Sequence, residues 1–159
     1  MFRKVLLALF ILSLLTIFPF AAEKKSVKDL PERHRTWLEE EVVYIILSVE
    51  KDVFLQLETD RERDMFIEAF WKHRDPTQGT PLNEFKDEHY RRIQYANYNY
   101  GRSSPIPGWK TDRGRTYIVL GEPRDTERYN EAGIYFTEVW FYQGLTQYGL
   151  PSGFSVVFF

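Results

Sequence analysis

The chain has no cysteine, only two methionines and only three histidines in its 159 residues. Without cysteine there is no disulfide, no thiolate nucleophile and no cleavage-site residue to carry a lipid, so the fold must hold by packing alone. The histidines, His34, His73 and His89, form no His-x₃-His or His-x₂-Glu-His arrangement, and the 16-residue step from His73 to His89 matches no ligand spacing, so no metal is expected. Gly-x-Ser-x-Gly and the P-loop are also missing, which removes the common nucleophile and phosphate signatures, and no cofactor is expected. An excess of one charge is lacking too. Setting aside Arg3 and Lys4 leaves 19 basic side chains against 23 acidic ones, a net charge of −4, which gives no electrostatic reason to expect nucleic acid.

What is present begins with one long apolar run. Met1-Phe2-Arg3-Lys4 is a positive start, Val5 to Phe20 is unbroken apolar and small residues, and Ala21-Ala22-Glu23 follows, the layout of a secretory signal over residues 1–22. Export to the periplasm, cell envelope or extracellular space is therefore expected. Phe20 stands where a small residue is preferred two places before the cut, so an uncleaved anchor stays open and would be the protein's one relation to a membrane.

Aromatic residues make up 17% of the chain, ample material for one core. Residues 23–100 read as helical. Trp37, Leu38, Val42, Ile45 and Ile46 recur at helical spacing, although the β-branched run Val42 to Ile46 suits a buried strand equally well. Ser48 starts a second short helix. Thr59-Asp60-Arg61-Glu62 is a capping box that opens a helix with Phe66, Ile67, Phe70 and Trp71 as its stripe, ended by Asp75 before Pro76. Thr80 then serves as N-cap with Pro81 at the first position of a helix running from Leu82 to about Tyr98.

From Gly101 the texture changes. Arg115 to Leu120 reads as a strand closed by a Gly121-Glu122-Pro123 turn, with further strands over Glu138–Tyr142 and Phe154–Phe159. The expected class is α+β: N-terminal helices on a C-terminal antiparallel sheet, with residues 101–159 the β part of one domain. The apolar last strand suggests an incomplete sheet in a truncated chain, whose missing strand would come from downstream sequence or a partner chain.

Candidate chemistry concentrates around Gly108 to Pro123, GWKTDRGRTYIVLGEP. Its composition resembles a phosphate loop, but a glycine-bearing loop that feeds a strand lacks the helix N-terminus that would hold the anion. Thr111-Asp112-Arg113-Gly114 reads as a turn, with Trp109 over the sheet edge. His73-Arg74-Asp75 matches a kinase catalytic loop in three residues only, because Thr80 stands where that loop needs asparagine. Arg74 and Asp75 read as a helix-terminal cation and a turn carboxylate. Glu122, Asp125 and Glu138 sit at strand ends, where paired carboxylates would suit glycoside hydrolysis. Trp37, Trp71, Trp109 and Trp140 either form a platform or fill the core.

Several segments in order carry a family likeness. GWKTDRGRTYIVLGEP, the upstream FWKHRDPTQGTPLNEFKDEHYRRIQYAN (Phe70–Asn97) and the strand Glu138-Val139-Trp140-Phe141-Tyr142 together resemble the bacterial GWxTD domain family. The resemblance implies an exported or envelope protein and assigns no reaction, cofactor or catalytic residue. The expected function is thus an exported cell-envelope interaction or assembly domain that engages protein or glycan. Its patch or structural junction would consist of Arg74, Asp75, Trp109, Thr111, Asp112, Arg113, Glu138 and Trp140, with the Arg-Asp-Pro and Gly-Trp-Lys-Thr-Asp loops converging. The alternative is a carboxylate-based hydrolase of cell-wall or exported polymers that uses Glu122, Glu138 or Asp112.

Overall fold

The structure, a computed structural model, describes residues 26–102, 104–130 and 135–159. The secretory segment expected over residues 1–22 lies outside them. Among the described residues, five α-helices precede a three-stranded antiparallel sheet whose strands lie side by side in chain order, an α+β arrangement.

Helix α1, Glu32–Thr36, continues as one π turn, Trp37–Glu41, closed by the Val42 N–H donating to the Trp37 carbonyl at 3.0 Å. Neither the longer helix nor the buried strand open for Val42 to Ile46 forms. The chain leaves the helix at Val42, whose carbonyl accepts from the N–H groups of Ile45 and Ile46 in a tight turn. Helix α2 is Ser48–Gln56 and α3 is Asp60–Arg74. The capping box that opens α3 is present in full: Thr59 Oγ accepts from the Glu62 N–H at 3.2 Å, and the Glu62 carboxylate accepts from the Thr59 N–H at 2.8 Å. Asp75 ends the helix as its C-cap.

Helix α4, Glu84–Tyr100, starts later than Thr80-Pro81 suggests. The Thr80 hydroxyl is engaged with the carbonyls of Thr77 and Leu82, while Asn83 accepts from the Lys86 N–H at 2.9 Å and donates to the Trp71 carbonyl at 2.8 Å. Asn83 therefore both caps α4 and ties it to α3.

The largest departure is Arg115 to Leu120, which is helix and not strand. Helix α5, Asp112–Leu120, is capped by Thr111 and ends at Gly121, whose φ of 85° only glycine adopts readily. It lies inside the segment expected to be all β. Strand β1, Asp125–Tyr129, follows it, then β2, Thr137–Gln143, and β3, Gly153–Phe158. In β2 alternate residues Glu138, Trp140 and Tyr142 are buried, so this face packs on the helices.

Three aromatic clusters form the core. Trp37, Phe54 and Phe70 centre the first, with the indole 5.0 Å from the Phe54 ring and edge-on to Phe70 at 5.2 Å. Trp140, Tyr117, Tyr142 and Phe158 form the one under the sheet. Ala96 of α4, Trp109 and Ile118 of α5, flanked by Tyr44 and Tyr100, form the third. Each large side chain buried this way contributes about 2–3 kcal/mol of transfer free energy.

Candidate functional site

The signature residues form a close-packed joint between α4 and α5. A Cβ on Gly108 would overlap the Ala96 carbonyl and come within 2.6 Å of the Asn97 Cα, and one on Gly114 would overlap the Gly108 carbonyl. Only glycine permits that approach. Trp109 is buried in the joint; its backbone N–H donates to the Asn97 side chain at 3.0 Å, and its carbonyl accepts from the Tyr44 hydroxyl at 3.0 Å. Thr111 Oγ donates to the Gly108 carbonyl at 2.7 Å and accepts from the Gly114 N–H at 3.0 Å. Trp109 therefore does not cover the sheet edge. The stretch leads onto a helix N-terminus and not into the expected strand, but the Thr111 hydroxyl holds one of its N–H groups and the Asp112 carboxylate stands in its first turn, where it would repel an anion. Asp112 itself is exposed.

Arg74 and Asp75 lie elsewhere. The Arg74 guanidinium contacts both Glu50 oxygens at 2.7 and 2.9 Å, donates to the Ile45 and Phe70 carbonyls and lies 3.6 Å over the Phe70 ring. Burial alone would raise the Glu50 carboxyl; the Arg74 hydrogen bond and the Leu47 N–H outweigh it and hold the group below its ordinary value. Asp75 accepts from the Thr77 N–H at 3.0 Å, an Asx turn. Neither residue bonds with residues 108–114. The expected convergence of the two loops is absent; the Val42–Leu47 turn joins them instead, through Tyr44 to Trp109 and through Ile45 to Arg74.

Of the remaining candidates, Glu138 and Trp140 line a groove of about 320 Å³ beside the sheet, and Arg113, not among its lining residues, pairs with Glu138. Glu138 is 3% exposed at its floor and accepts from the Trp140 indole N–H at 2.8 Å. Arg113 Nε stands 3.2 Å from one Glu138 oxygen, an ion pair without hydrogen-bond alignment, and Arg128 Nη2 reaches the other at 3.4 Å. One wall is aromatic: Tyr95 stacks on Tyr117 at 4.2 Å with 13° between planes, and Tyr100 stands tilted against Trp140 at 5.6 Å. Burial, then the neighbouring phenols and Glu138, raise the Tyr100 pKa, so its hydroxyl stays protonated. The other wall is the polar segment from Glu122 to Thr126.

Glu122, Asp125 and Glu138 thus share one groove, and Asp112 is not among its lining residues. All four tryptophans are at most 8% exposed, so none offers an open platform. The tyrosine wall was hidden in the sequence because Tyr95, Tyr100 and Tyr117 come from two helices, one of which reads as a strand. The signal for that helix was present in the Thr111 cap and the Asp112 first turn. Among the described residues, no group of three or more His, Cys, Asp or Glu side chains is placed to hold a metal ion. No helix among them is long and apolar enough to cross a membrane.

A family model described as GWxTD domain matches residues 24–152, most of the chain. No curated protein and no solved structure matches it.

Proposed function

The chain belongs to the GWxTD domain family, and on that footing we propose that it is an exported cell-envelope interaction domain whose contact surface is the tyrosine-walled groove over Glu138. The observation that carries this reading is the division of labour between motif and groove. Gly108, Trp109 and Thr111 spend their polar groups and close contacts inside the molecule, which suits architecture, while Tyr95, Glu122, Asp125 and Arg128 present unlike chemistry at one accessible place. Export rests on the charged start and apolar run of residues 1–22. The partner is an envelope protein or glycan. Capture from the envelope fraction with the wild-type chain and with Tyr95→Ala tests it: a partner held by the first and lost by the second supports the groove, identical partners remove it, and an unprocessed chain in the cytoplasmic fraction overturns export.

A second reading has one observation in its favour, the shared position of Glu122, Asp125 and Glu138 along the groove. Two carboxyl groups suitably spaced would make it a hydrolase of cell-wall or exported polymers. Release of reducing ends, abolished by Glu122→Gln, would establish that reading, and its absence on envelope polymers would remove it. We also propose that β3, uncharged along its length and paired among the described residues with β2 alone, is the edge at which a further strand adds, from downstream sequence or from a partner chain.

A further inference from the structure

We infer that the groove beside β1 and β2 binds a neutral saccharide, with a pyranose ring laid against Tyr95 and its hydroxyl rim turned to the Glu122–Thr126 wall. The inference rests on the groove's being the contact surface proposed above and adds the class of ligand.

Charge narrows the choice first. Carboxylates and guanidinium groups line the same small space, Glu122, Asp125 and Glu138 against Arg124 and Arg128. A polyanion would meet the three carboxylates, and a polycation would meet the two guanidinium groups, so neither sign of ligand charge is favoured throughout. Polarity narrows it further. The wall from Glu122 to Thr126 offers charged and hydroxyl groups, which an acyl chain would desolvate without replacing their hydrogen bonds. A peptide strand would take its affinity from main-chain pairing along a sheet edge. Here the strands contribute side chains of one sheet face, Thr126 opposite Trp140 and Arg128 opposite Glu138, and Tyr95 and Tyr100 of α4 face them, so a ligand in the groove meets side chains and not a line of free main-chain groups.

A pyranose suits both walls. Its C–H face is apolar and flat enough to lie on an aromatic ring, and its equatorial hydroxyls each donate and accept, which matches carboxylate acceptors and guanidinium donors that stand side by side. The wall is also rigid before any ligand arrives. Tyr95 is 38% exposed, yet its inner face is stacked on buried Tyr117, so little rotamer freedom remains for binding to remove. Beneath it the Trp140 N–H and Arg128 fix the Glu138 carboxylate. The volume, about 320 Å³, lies at the small end of ligand sites and suits one or two rings of a longer chain crossing the groove.

The test is isothermal titration of the chain with three probes: a β-1,4-linked glucose tetrasaccharide, a β-1,4-linked N-acetylglucosamine tetrasaccharide, and spermidine as a cationic control. At least one saccharide is expected to bind, and spermidine is not. Tyr95→Ala and Asp125→Asn should each weaken that binding about tenfold or more, and Asp125→Asn should leave the thermal midpoint of the chain close to wild type. Asp125→Asn is the safeguard, since it alters an exposed carboxylate even if Tyr95→Ala disturbs α4. Binding of spermidine alone, binding of neither saccharide at millimolar concentration, or saccharide binding untouched by both variants would overturn the inference. The reading of an interaction domain is decided separately: captured envelope partners without saccharide binding would leave it standing, and hydrolysis of a bound tetrasaccharide would end it while keeping the ligand class.

Discussion

The Tyr44 hydroxyl donates to the Trp109 carbonyl across 65 residues of sequence, and the carbonyl of the next residue, Ile45, accepts from Arg74. One short turn thereby links the Gly-Trp-Lys-Thr-Asp segment to the end of α3. Tyr44 is partly buried, and burial raises its pKa, so the hydroxyl remains a donor through the physiological range. Tyr44→Phe keeps the ring edge-on to Trp109 and removes only that bond. It should cost about 1 kcal/mol, or about 3–5 °C in Tm for a domain of this size, as differential scanning calorimetry would read.

Two positions within the signature stretch should respond to very different extents. Gly108→Ala drives a methyl group into the Ala96 carbonyl with backbone on both sides, so relief requires α4 and the Gly108 turn to separate. A loss of about 3 kcal/mol or more, or a failure to fold, is expected. Asp112→Ala removes an exposed charge from the first turn of α5 and should cost about 0.3–1 kcal/mol. Urea unfolding of the pair decides it; equal losses would mean that the motif's carboxylate has a structural task beyond the helix dipole.

The sequence discloses the helices whose caps and stripes agree, and it misleads where two local signals compete. Thr59 and Glu62 satisfy each other and open α3 at the expected residue. At Thr80-Pro81 the cap chemistry is equally suggestive, but the Thr80 hydroxyl turns to nearby carbonyls and the tertiary bond from Asn83 to Trp71 selects the later start. Arg115 to Leu120 has strand-like composition, with Tyr117, Ile118 and Val119 in a row. Packing at helical spacing decides for helix, because Gly114, Tyr117 and Ile118 are all buried on the side that meets α4 and β2. Strand β1 escapes notice because Asp125 to Tyr129 is exposed at every position and carries no apolar alternation. Of the site, Arg113, Glu138 and Trp140 are legible as polar and aromatic candidates, but the tyrosine stack of Tyr95 on Tyr117 beside Glu138 and Trp140 depends on α5 being a helix.

The Glu138 carboxylate yields an ordered pair of variants. Glu138→Ala leaves the buried Trp140 N–H without its acceptor and Arg113 without its counter-charge, which should cost about 3–5 kcal/mol. Glu138→Gln retains an oxygen for the indole and removes only the charge, for about 1–2 kcal/mol. Chemical denaturation should place glutamine between wild type and alanine. Equal losses would make the charge, and not the hydrogen bond to Trp140, the stabilising part.

His89 predicts how the fold responds to acid. It is 4% exposed, and its Nε2 lies 2.6 Å from the Glu41 carbonyl, which only accepts, so that nitrogen carries the proton of the neutral ring. Around it stand the rings of Trp71, Phe85 and Tyr90, with Arg92 opposing and the Glu41 carboxylate favouring the charged form. Burial dominates and lowers its pKa below the ordinary value. The unfolded chain therefore takes up a proton as pH falls through about 6.5, at which the folded chain still refuses one. Stability contributed by the neutral ring is complete above that pH and is lost as the pH falls toward the lowered folded value. The carboxyls held low in the folded state, Glu50, Asp64 and Glu88 among them, act in the same direction, but only where unfolded carboxylates titrate, near pH 4. Between pH 7 and pH 5 the fall in Tm should accordingly trace to histidine. In His89→Gln, whose amide still donates to the Glu41 carbonyl, the midpoint should begin lower at pH 7 but vary less with pH over that range; an unchanged slope would rule out His89 as its source.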